Sequence, residues 1–386
     1  MNVLVISNLF PLPWEPGRGL FNAQQLRLLA VRHRVHVVVP VAWRVWWRHR
    51  RAARGSHDYH GITVTPVPYF YLPGFWRASY ATTMWLSLRL SLRRFRHWPA
   101  DVVFATWLYP DAVAAARLAR ALKLPVLMKA HGSDVNVQCQ VPARRRQVVA
   151  AAASSHAVMT VSRDLADQLC DAGVERERLH TLYNGIDLQR FAPADRNKVR
   201  TDLTLAETDK VLLYVGNLKA SKGVLDLVSA LAHLPEDKWQ RCVIIGDGED
   251  RVVMEKLAQR CGVDSKVIFL GRLPHDKIGL WMTACDLLLL PSHAEGVPNV
   301  VLEAMACGKA VVVSALPGIQ EVTPDYAGIA VPAKQPQAFA AAVAQALDRR
   351  WDAERIRSHA EQFSWERNVN QLEALLQDAA SGKQHD

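Results

Sequence analysis

Short apolar runs alternating with helical segments, in two successive series, constrain this chain more than any other feature. In the first half the runs are 2–7 (NVLVIS), 34–41 (RVHVVVPV), 62–67, 101–105 (DVVFA), 125–130 (PVLMKA) and 156–161 (HAVMTV), separated by helix-like segments such as 22–33, 110–123 and 163–172. In the second half they are 211–215 (VLLYV), 242–246 (CVIIG), 266–270 (KVIFL), 286–290 and 310–314. A strand with no polar alternation must be covered on both faces, so each series predicts a parallel sheet between helical layers. The expected fold class is α/β, with two doubly wound, Rossmann-like domains. The Pro-containing stretch Phe191–Asp195 marks the expected boundary, giving domains 1–195 and 196–386, with the last helix free to cross back to the first. Ligands of such sheets bind beyond the carboxyl ends of the strands, so two domains facing each other are expected to form a cleft.

The loops at those strand ends carry the chemistry. Residues 216–223, GNLKASKG, follow the strand VLLYV and lead into a helix. They offer backbone N–H groups with Lys219 and Lys222 as point charges, a combination suited to phosphate. Gly246-Asp-Gly248 and Gly17-Arg-Gly19 are weaker signals of the same kind. Neither the dinucleotide pattern GxGxxG nor the P-loop pattern GxxxxGK[ST] is present. The run 291–308, PSHAEGVPNVVLEAMACG, places Glu295 in a loop and Glu303 inside an apolar helix, predicted from Pro298 to Cys307 with Gly308 ending it. A carboxylate among Val300, Val301, Leu302, Ala304, Met305 and Ala306 needs a partner. If the span were helical, its eight residues would separate the carboxylates by roughly 12 Å, too far for a glycosidase acid/base couple. They can instead grip two ends of one ligand.

The six cysteines are scattered with no metal-ligand spacing, which fits reduced thiols and a cytoplasmic setting. The opening strand-like residues carry no basic segment, so a secretory leader is not expected. Residues 1–200 carry 28 Lys and Arg against 12 Asp and Glu, whereas residues 201–386 carry 19 against 25. The first half is therefore expected to face something anionic. Within it, Trp43-Arg-Val-Trp-Trp-Arg-His-Arg-Arg51 interleaves aromatics with cations. Residues 82–98 place Arg89, Arg93 and Arg96 on one helical face, and Trp85, Leu88, Leu92 and Phe95 on another. These segments read either as an ordinary solvated basic surface or as a patch for an anionic membrane, where Arg48, Arg50 and Arg51 and the aromatic pair Trp46 and Trp47 would act together.

YNGIDLQRF, YVGNLKASKG, IIGDGED, DLLLLPS and EGVPNVVLEAMACG, in this order along the chain, together resemble the retaining glycosyltransferases of family 4, which have the two-domain GT-B fold, and the resemblance covers nearly the whole chain. The resemblance implies a nucleotide-sugar donor held mainly by the second domain, an acceptor held by the first, and no metal ion or other cofactor. It implies that Glu295 contacts the donor sugar, that Glu303 contacts the ribose hydroxyls, and that Lys222 holds the phosphate. In that reading the segment Gly296, Val297, Pro298 and Asn299 faces the charge between the glutamates with its N–H groups, of which Pro298 has none. Gly19 of the Gly17-Arg-Gly19 loop joins the donor set, and Arg272 lies where the family holds the base. The family often has an arginine where this chain has Asn217, and Lys219 is the candidate to replace that charge. His131, in Lys129-Ala-His-Gly-Ser-Asp134 at a strand end, matches the family's active-site histidine, with Asp134 a weaker candidate that equally suits a turn cap.

The expected activity is metal-independent, retaining transfer of a sugar from a nucleotide sugar to a saccharide acceptor, lipid-linked or free, in cell-envelope or exopolysaccharide synthesis, with peripheral attachment to the inner face of the plasma membrane. An epimerase or phosphorylase on the same fold is the enzymatic alternative. Nucleic-acid binding is disfavoured, since neither a basic helix-turn-helix nor an RNA-recognition pattern is present.

Overall fold

The structure is a computed structural model that describes residues 1–71, 77–92 and 98–382. It resolves into two compact units, one comprising Met1–Tyr183 with Trp365–Asp386 and the other Asn184–Ser364. The expected boundary at residue 195 falls inside the second unit. The reason is local bonding: Ile186 N donates to Phe363 O at 2.9 Å, and Phe191 is 2% exposed. Asp195 caps the next helix by accepting from Asn197 N and Lys198 N, so the Pro-containing stretch is a helix entrance and not a free linker.

The first unit is built on eight strands: β1 (Asn2–Ile6), β2 (Arg34–Ala42), β3 (His57–Tyr59), β4 (Ile62–Tyr69), β5 (Val102–Thr106), β6 (Val126–Ala130), β7 (Ala157–Thr160) and β8 (Leu179–Thr181). Their order is β3-β4-β2-β1-β5-β6-β7-β8. All pairings are parallel except β3 with β4, an antiparallel edge that the sequence reading did not include because three residues of HDY carry no apolar pattern. Along β1 the side chains divide between two cores. Val3 and Val5 join Leu26, Leu29, Phe104 and Leu372 on one face, while Leu4 and Ile6 join Val103, Met128 and Leu118 on the other. This two-sided burial is why the strand runs carry no polar alternation. The helix Trp365–Ala380 completes the first of these layers, with Leu372 and Leu376 fully buried. Asn368 fastens it, donating to Tyr183 O and accepting from Gln25 Nε2, both at 2.5 Å.

The second unit is built on six parallel strands, β9 (Val211–Val215), β10 (Arg241–Ile245), β11 (Val267–Gly271), β12 (Leu287–Leu290), β13 (Ala310–Ser314) and β14 (Gly328–Val331). Their order is β11-β10-β9-β12-β13-β14. In each sheet the first strand has neighbours on both sides, so the chain direction reverses at β1/β5 and at β9/β12. Crevices at such reversals are where open α/β sheets receive ligands. Among the described residues no helix is long and apolar enough to cross a membrane.

Candidate active site

The loops after β9 and β12 meet at the reversal point of the second sheet. Gly223 makes the meeting possible: its φ is 63°, and a Cβ there would lie 1.8 Å from Pro291 O. Only glycine permits this backbone approach. His293 N donates to Ser221 O at 3.0 Å, and the His293 ring bonds Asp226 at 2.7 Å, so the two loops are stitched together. A similar approach joins the loops after β9 and β10, where a Cβ on Gly246 would lie 1.9 Å from Gly216 O. The GDG segment is thus a packing requirement of this sheet end.

Stitched in this way, the loops bring two of the sequence-predicted residues into contact. Lys222 forms an ion pair with Glu295 Oε1, which also accepts from Ser292 Oγ at 3.2 Å. Both side chains are partly buried, so the pair is shielded more than a surface pair but can still exchange partners. Tyr214 lies beneath: its hydroxyl donates to Asn217 O at 3.2 Å, and burial, with the Glu295 charge nearby, pushes its pKa up. Asn217, Lys219 and Arg272 are exposed, and no hydrogen bond or ion pair joins their side chains to Lys222 or Glu295 among the described residues. Lys219 therefore stands apart from the pair.

Glu303 is placed differently. It lies on the helix Asn299–Ala306, which begins after Pro298 and has no side-chain cap, leaving its first N–H groups available. The helix Val224–His233 likewise starts without a side-chain cap, directly after Lys222 and Gly223. The Glu303 carboxylate has no hydrogen bond or ion pair among the described residues. Burial raises its pKa from 4.5 to about 7, an effect opposed by the charge of Arg190. Arg190 is the residue that sequence reasoning missed; the signal was available, since it ends the YNGIDLQR portion of a motif already singled out. Gly296 packs its carbonyl where Gly318 has no side chain, and Val297 and Asn299 are partly accessible beside it.

At the strand ends of the first unit the carboxylates are already satisfied. Asp134 accepts from Leu108 N at 2.8 Å and from His131 N and Gly132 N at 2.9 Å each, so it folds the HGSD loop. Asp111 is fully buried and accepts from Asn8 N and Asn8 Nδ2 at 2.6 and 2.7 Å; burial pushes its pKa up to about 8. His131 packs against Phe21 with ring centroids 4.8 Å apart and the planes tilted by 52°, and its Nε2 is buried with no hydrogen-bond partner. Burial, with the Lys129 charge adding to it, holds its pKa well below 6.5. The ring is neutral at physiological pH and can serve as a hydrogen-bonding group but not as a cation. Gly19, at φ 61°, sits so close to Leu9 O that a Cβ would lie 2.2 Å away, and it starts the helix Leu20–Ala30, which has no side-chain cap.

The basic aromatic run resolves into the short helix Trp43–Arg48. Val45 and Trp46 pack against the core, and Trp43 Nε1 donates to Tyr71 O at 3.2 Å. Only Trp47 of the three tryptophans is outward, 63% exposed, with Arg50 over its ring. The expected pairing of Trp46 with Trp47 on one outer face is thus corrected: a helix places adjacent residues about 100° apart, and the core takes one of them. In the second basic segment the helix Tyr80–Leu90 buries Leu88 and leaves Arg89 outside, over Trp85. Arg93, Phe95 and Arg96 lie outside the described residues.

Two known families match successive parts of the chain. The family described as "Glycosyltransferase Family 4" matches residues 26–190, and that described as "Glycosyl transferases group 1" matches residues 195–363. A Bacillus subtilis protein named as a teichuronic acid biosynthesis glycosyltransferase, TuaC, is 26% identical over 356 residues, covering 89% of this chain and 88% of its own. The D-inositol 3-phosphate glycosyltransferase 1 of Catenulispora acidiphila is 29% identical over 307 residues, 73% of each chain. Among solved structures, Anabaena HepE in complex with UDP superposes with a TM-score of 0.76 at 21% identity, covering 98% of this chain and 100% of that one.

Proposed function

The chain belongs to the retaining glycosyltransferases of family 4, which transfer a sugar from a nucleotide sugar, and on that premise we propose that it does so without a metal ion, onto a saccharide acceptor of cell-envelope or exopolysaccharide synthesis. The observation that carries the site assignment is the Glu303 carboxylate, partly buried with no partner among the described residues on the helix that follows the loop of the Lys222–Glu295 pair. Ribose hydroxyls donate hydrogen bonds and would satisfy it. A diphosphate placed between the glutamates would draw Lys222 from Glu295 and lie against the uncapped starts of the helices Val224–His233 and Asn299–Ala306. Freed from Lys222, Glu295 faces the donor sugar. Gly296, Val297, Pro298 and Asn299 form the loop along this path, with Lys219 and Asn217 at its entrance and Arg272 beside the base. In the first unit, taken by itself, Gly19 opens a helix with free N–H groups and His131 is a neutral hydrogen-bonding partner for a sugar hydroxyl.

In this mechanism the bond from anomeric carbon to phosphate breaks through an oxocarbenium-like state. The negative charge developing on the nucleoside diphosphate is stabilised by Lys222 and the helix N–H groups. The acceptor hydroxyl then attacks from the same face, and its proton passes to the leaving phosphate. Relatives support the acceptor class: TuaC is named for teichuronic acid biosynthesis. The acceptor is lipid-linked in this reading, and the enzyme works as a cytoplasmic protein attached peripherally to an anionic membrane through Trp47, Arg48, Arg50 and Arg51, which are exposed together.

The test is thermal denaturation against UDP, GDP and ADP. A ligand at a hundredfold excess over its Kd raises stability by about 2.7 kcal/mol. One diphosphate shifting the transition strongly, with the shift reduced in Glu303→Ala, is the expected result; no shift with any of the three would remove the donor assignment.

A further inference from the structure

The first unit contains a cavity of about 350 Å³ whose lining includes Tyr69, Tyr71, Tyr80, Trp107, Tyr109 and Arg144. Tyr69 ends β4 and Trp107 follows β5, so the cavity opens at the carboxyl ends of the strands, where sheets of this kind take ligands. Its aromatic side is continuous: Tyr69 and Tyr71 stack with centroids 5.3 Å apart, and Tyr71 meets Tyr80 at 4.8 Å. The Tyr109 hydroxyl donates to Arg77 O at 2.7 Å, which fixes that ring.

Arg144 does not fit a purely apolar reading. It is 9% exposed, with its guanidinium carbon 5.5 Å from the centre of the Tyr109 ring. Its Nη1 donates to the neutral Gln138 at 2.5 Å, its Nε is buried with no hydrogen-bond partner, and among the described residues no carboxylate pairs with it. A desolvated guanidinium whose protein partners are an amide oxygen and a ring face leaves its charge uncompensated. Arg77, exposed, lines the same cavity. Nothing assigned to the donor uses this cavity.

We propose that this cavity is the acceptor subsite and that it selects an anionic sugar, the tyrosines packing on the C–H face of a pyranose while Arg144, with Arg77, holds its carboxylate or phosphate. The inference rests on the reading of the chain as a glycosyltransferase with a saccharide acceptor. It adds the charge class of that acceptor and the residues that read it.

The experiment is a ligand-observed NMR titration of the full chain with methyl β-D-glucuronide, glucose 6-phosphate and the neutral methyl β-D-glucoside. Binding of at least one anionic sugar tenfold or more tighter than the glucoside is expected, and the tighter of the two distinguishes a carboxylate from a phosphate. Arg144→Gln should reduce that preference to about one. Because Arg144 is buried, Arg77→Gln serves as the variant whose folding is safe, and it should lower the preference several-fold. Tyr80→Ala should weaken all three sugars together. Equal binding of charged and neutral sugars, or a preference that survives in both arginine variants, would overturn the proposal. Stabilisation by nucleoside diphosphate, measured in parallel, keeps the two readings apart: an intact diphosphate shift without anionic preference sinks the acceptor inference alone, and the converse sinks the donor assignment alone.

Discussion

The two sheet reversals use carboxylates in opposite ways. At the strand ends of the first unit, Asp134 and Asp111 are buried and fully engaged, the first by three backbone amides and the second by both nitrogens of Asn8 that can reach it. At the reversal of the second unit, Glu295 is paired with a lysine that can leave, and Glu303 has no partner among the described residues. A carboxylate that is satisfied internally holds a loop in shape, whereas one left unsatisfied at a strand end stores an interaction that a ligand can complete. On the proposed function, the contrast separates structural acids from binding acids without reference to sequence motifs.

The sharpest test of that contrast is Lys222→Ala. It removes the only cation paired with Glu295 among the described residues, the one proposed to hold the diphosphate. Turnover should fall roughly 10²- to 10³-fold, comparable to loss of an oxyanion-stabilising donor. Initial rates at saturating donor measure it, and rates within tenfold of the parent would mean that the charge is held elsewhere. In the same assay EDTA should change nothing; activity lost in EDTA and restored by Mg2+ would require a metal.

The converse variant lies in the first unit. Asp134→Ala leaves three amide donors without their acceptor and should cost about 2–4 kcal/mol of stability in urea denaturation. A variant that kept full stability but lost activity would move Asp134 from the structural to the binding class.

Glu303→Ala should weaken nucleoside diphosphate binding by roughly tenfold or more, about 1.5–3 kcal/mol for a lost charge-assisted hydrogen bond. Calorimetric titration reads this directly. A related effect follows from its raised pKa. In the folded chain the Glu303 carboxyl keeps its proton up to about pH 7, but in the unfolded chain only to about 4.5. Between these values the folded state holds more protons, so stability falls as pH rises through the window, by about 2 kcal/mol once partial exposure is allowed for. Glu303→Gln should flatten that slope, and denaturation at pH 5 and pH 8 would show whether it does. An unchanged slope would mean that Glu303 is not the group being desolvated.

The smallest effect concerns the first unit's outer surface. Trp47→Ala should weaken binding to vesicles modestly even at high salt, and changing Arg48, Arg50 and Arg51 to Glu should lower binding to anionic vesicles by turning attraction into repulsion. Co-sedimentation with vesicles of defined composition measures both. Equal binding to neutral and anionic vesicles would leave this helix as a solvated surface.

Much of the scaffold was legible in the sequence because it follows from local pattern. Eleven apolar runs became strands, since continuous burial on both faces demands continuous apolarity. The strands β3, β8 and β14 were not legible, for they have only three or four residues and owe their pairing to a neighbour already in place. Adjacent tryptophans looked equivalent in the run Trp43–Arg51, yet the helix turns Trp46 inward and Trp47 outward.

By itself, the sequence determined the two α/β layers, the loops at the strand ends and the residue types available there, because periodicity and glycine placement act over a few residues. Tertiary structure alone decided that Lys222 meets Glu295 across 73 positions, that Glu303 goes without a partner among the described residues, that Asp134 ties its own loop to Leu108, and that Arg144 reaches a cavity of tyrosines uncompensated. The physical reason is common to all four: an ionic group's state depends on what the fold brings within a few ångströms of it and on how much water the fold removes, and neither quantity is a property of neighbouring positions in the chain.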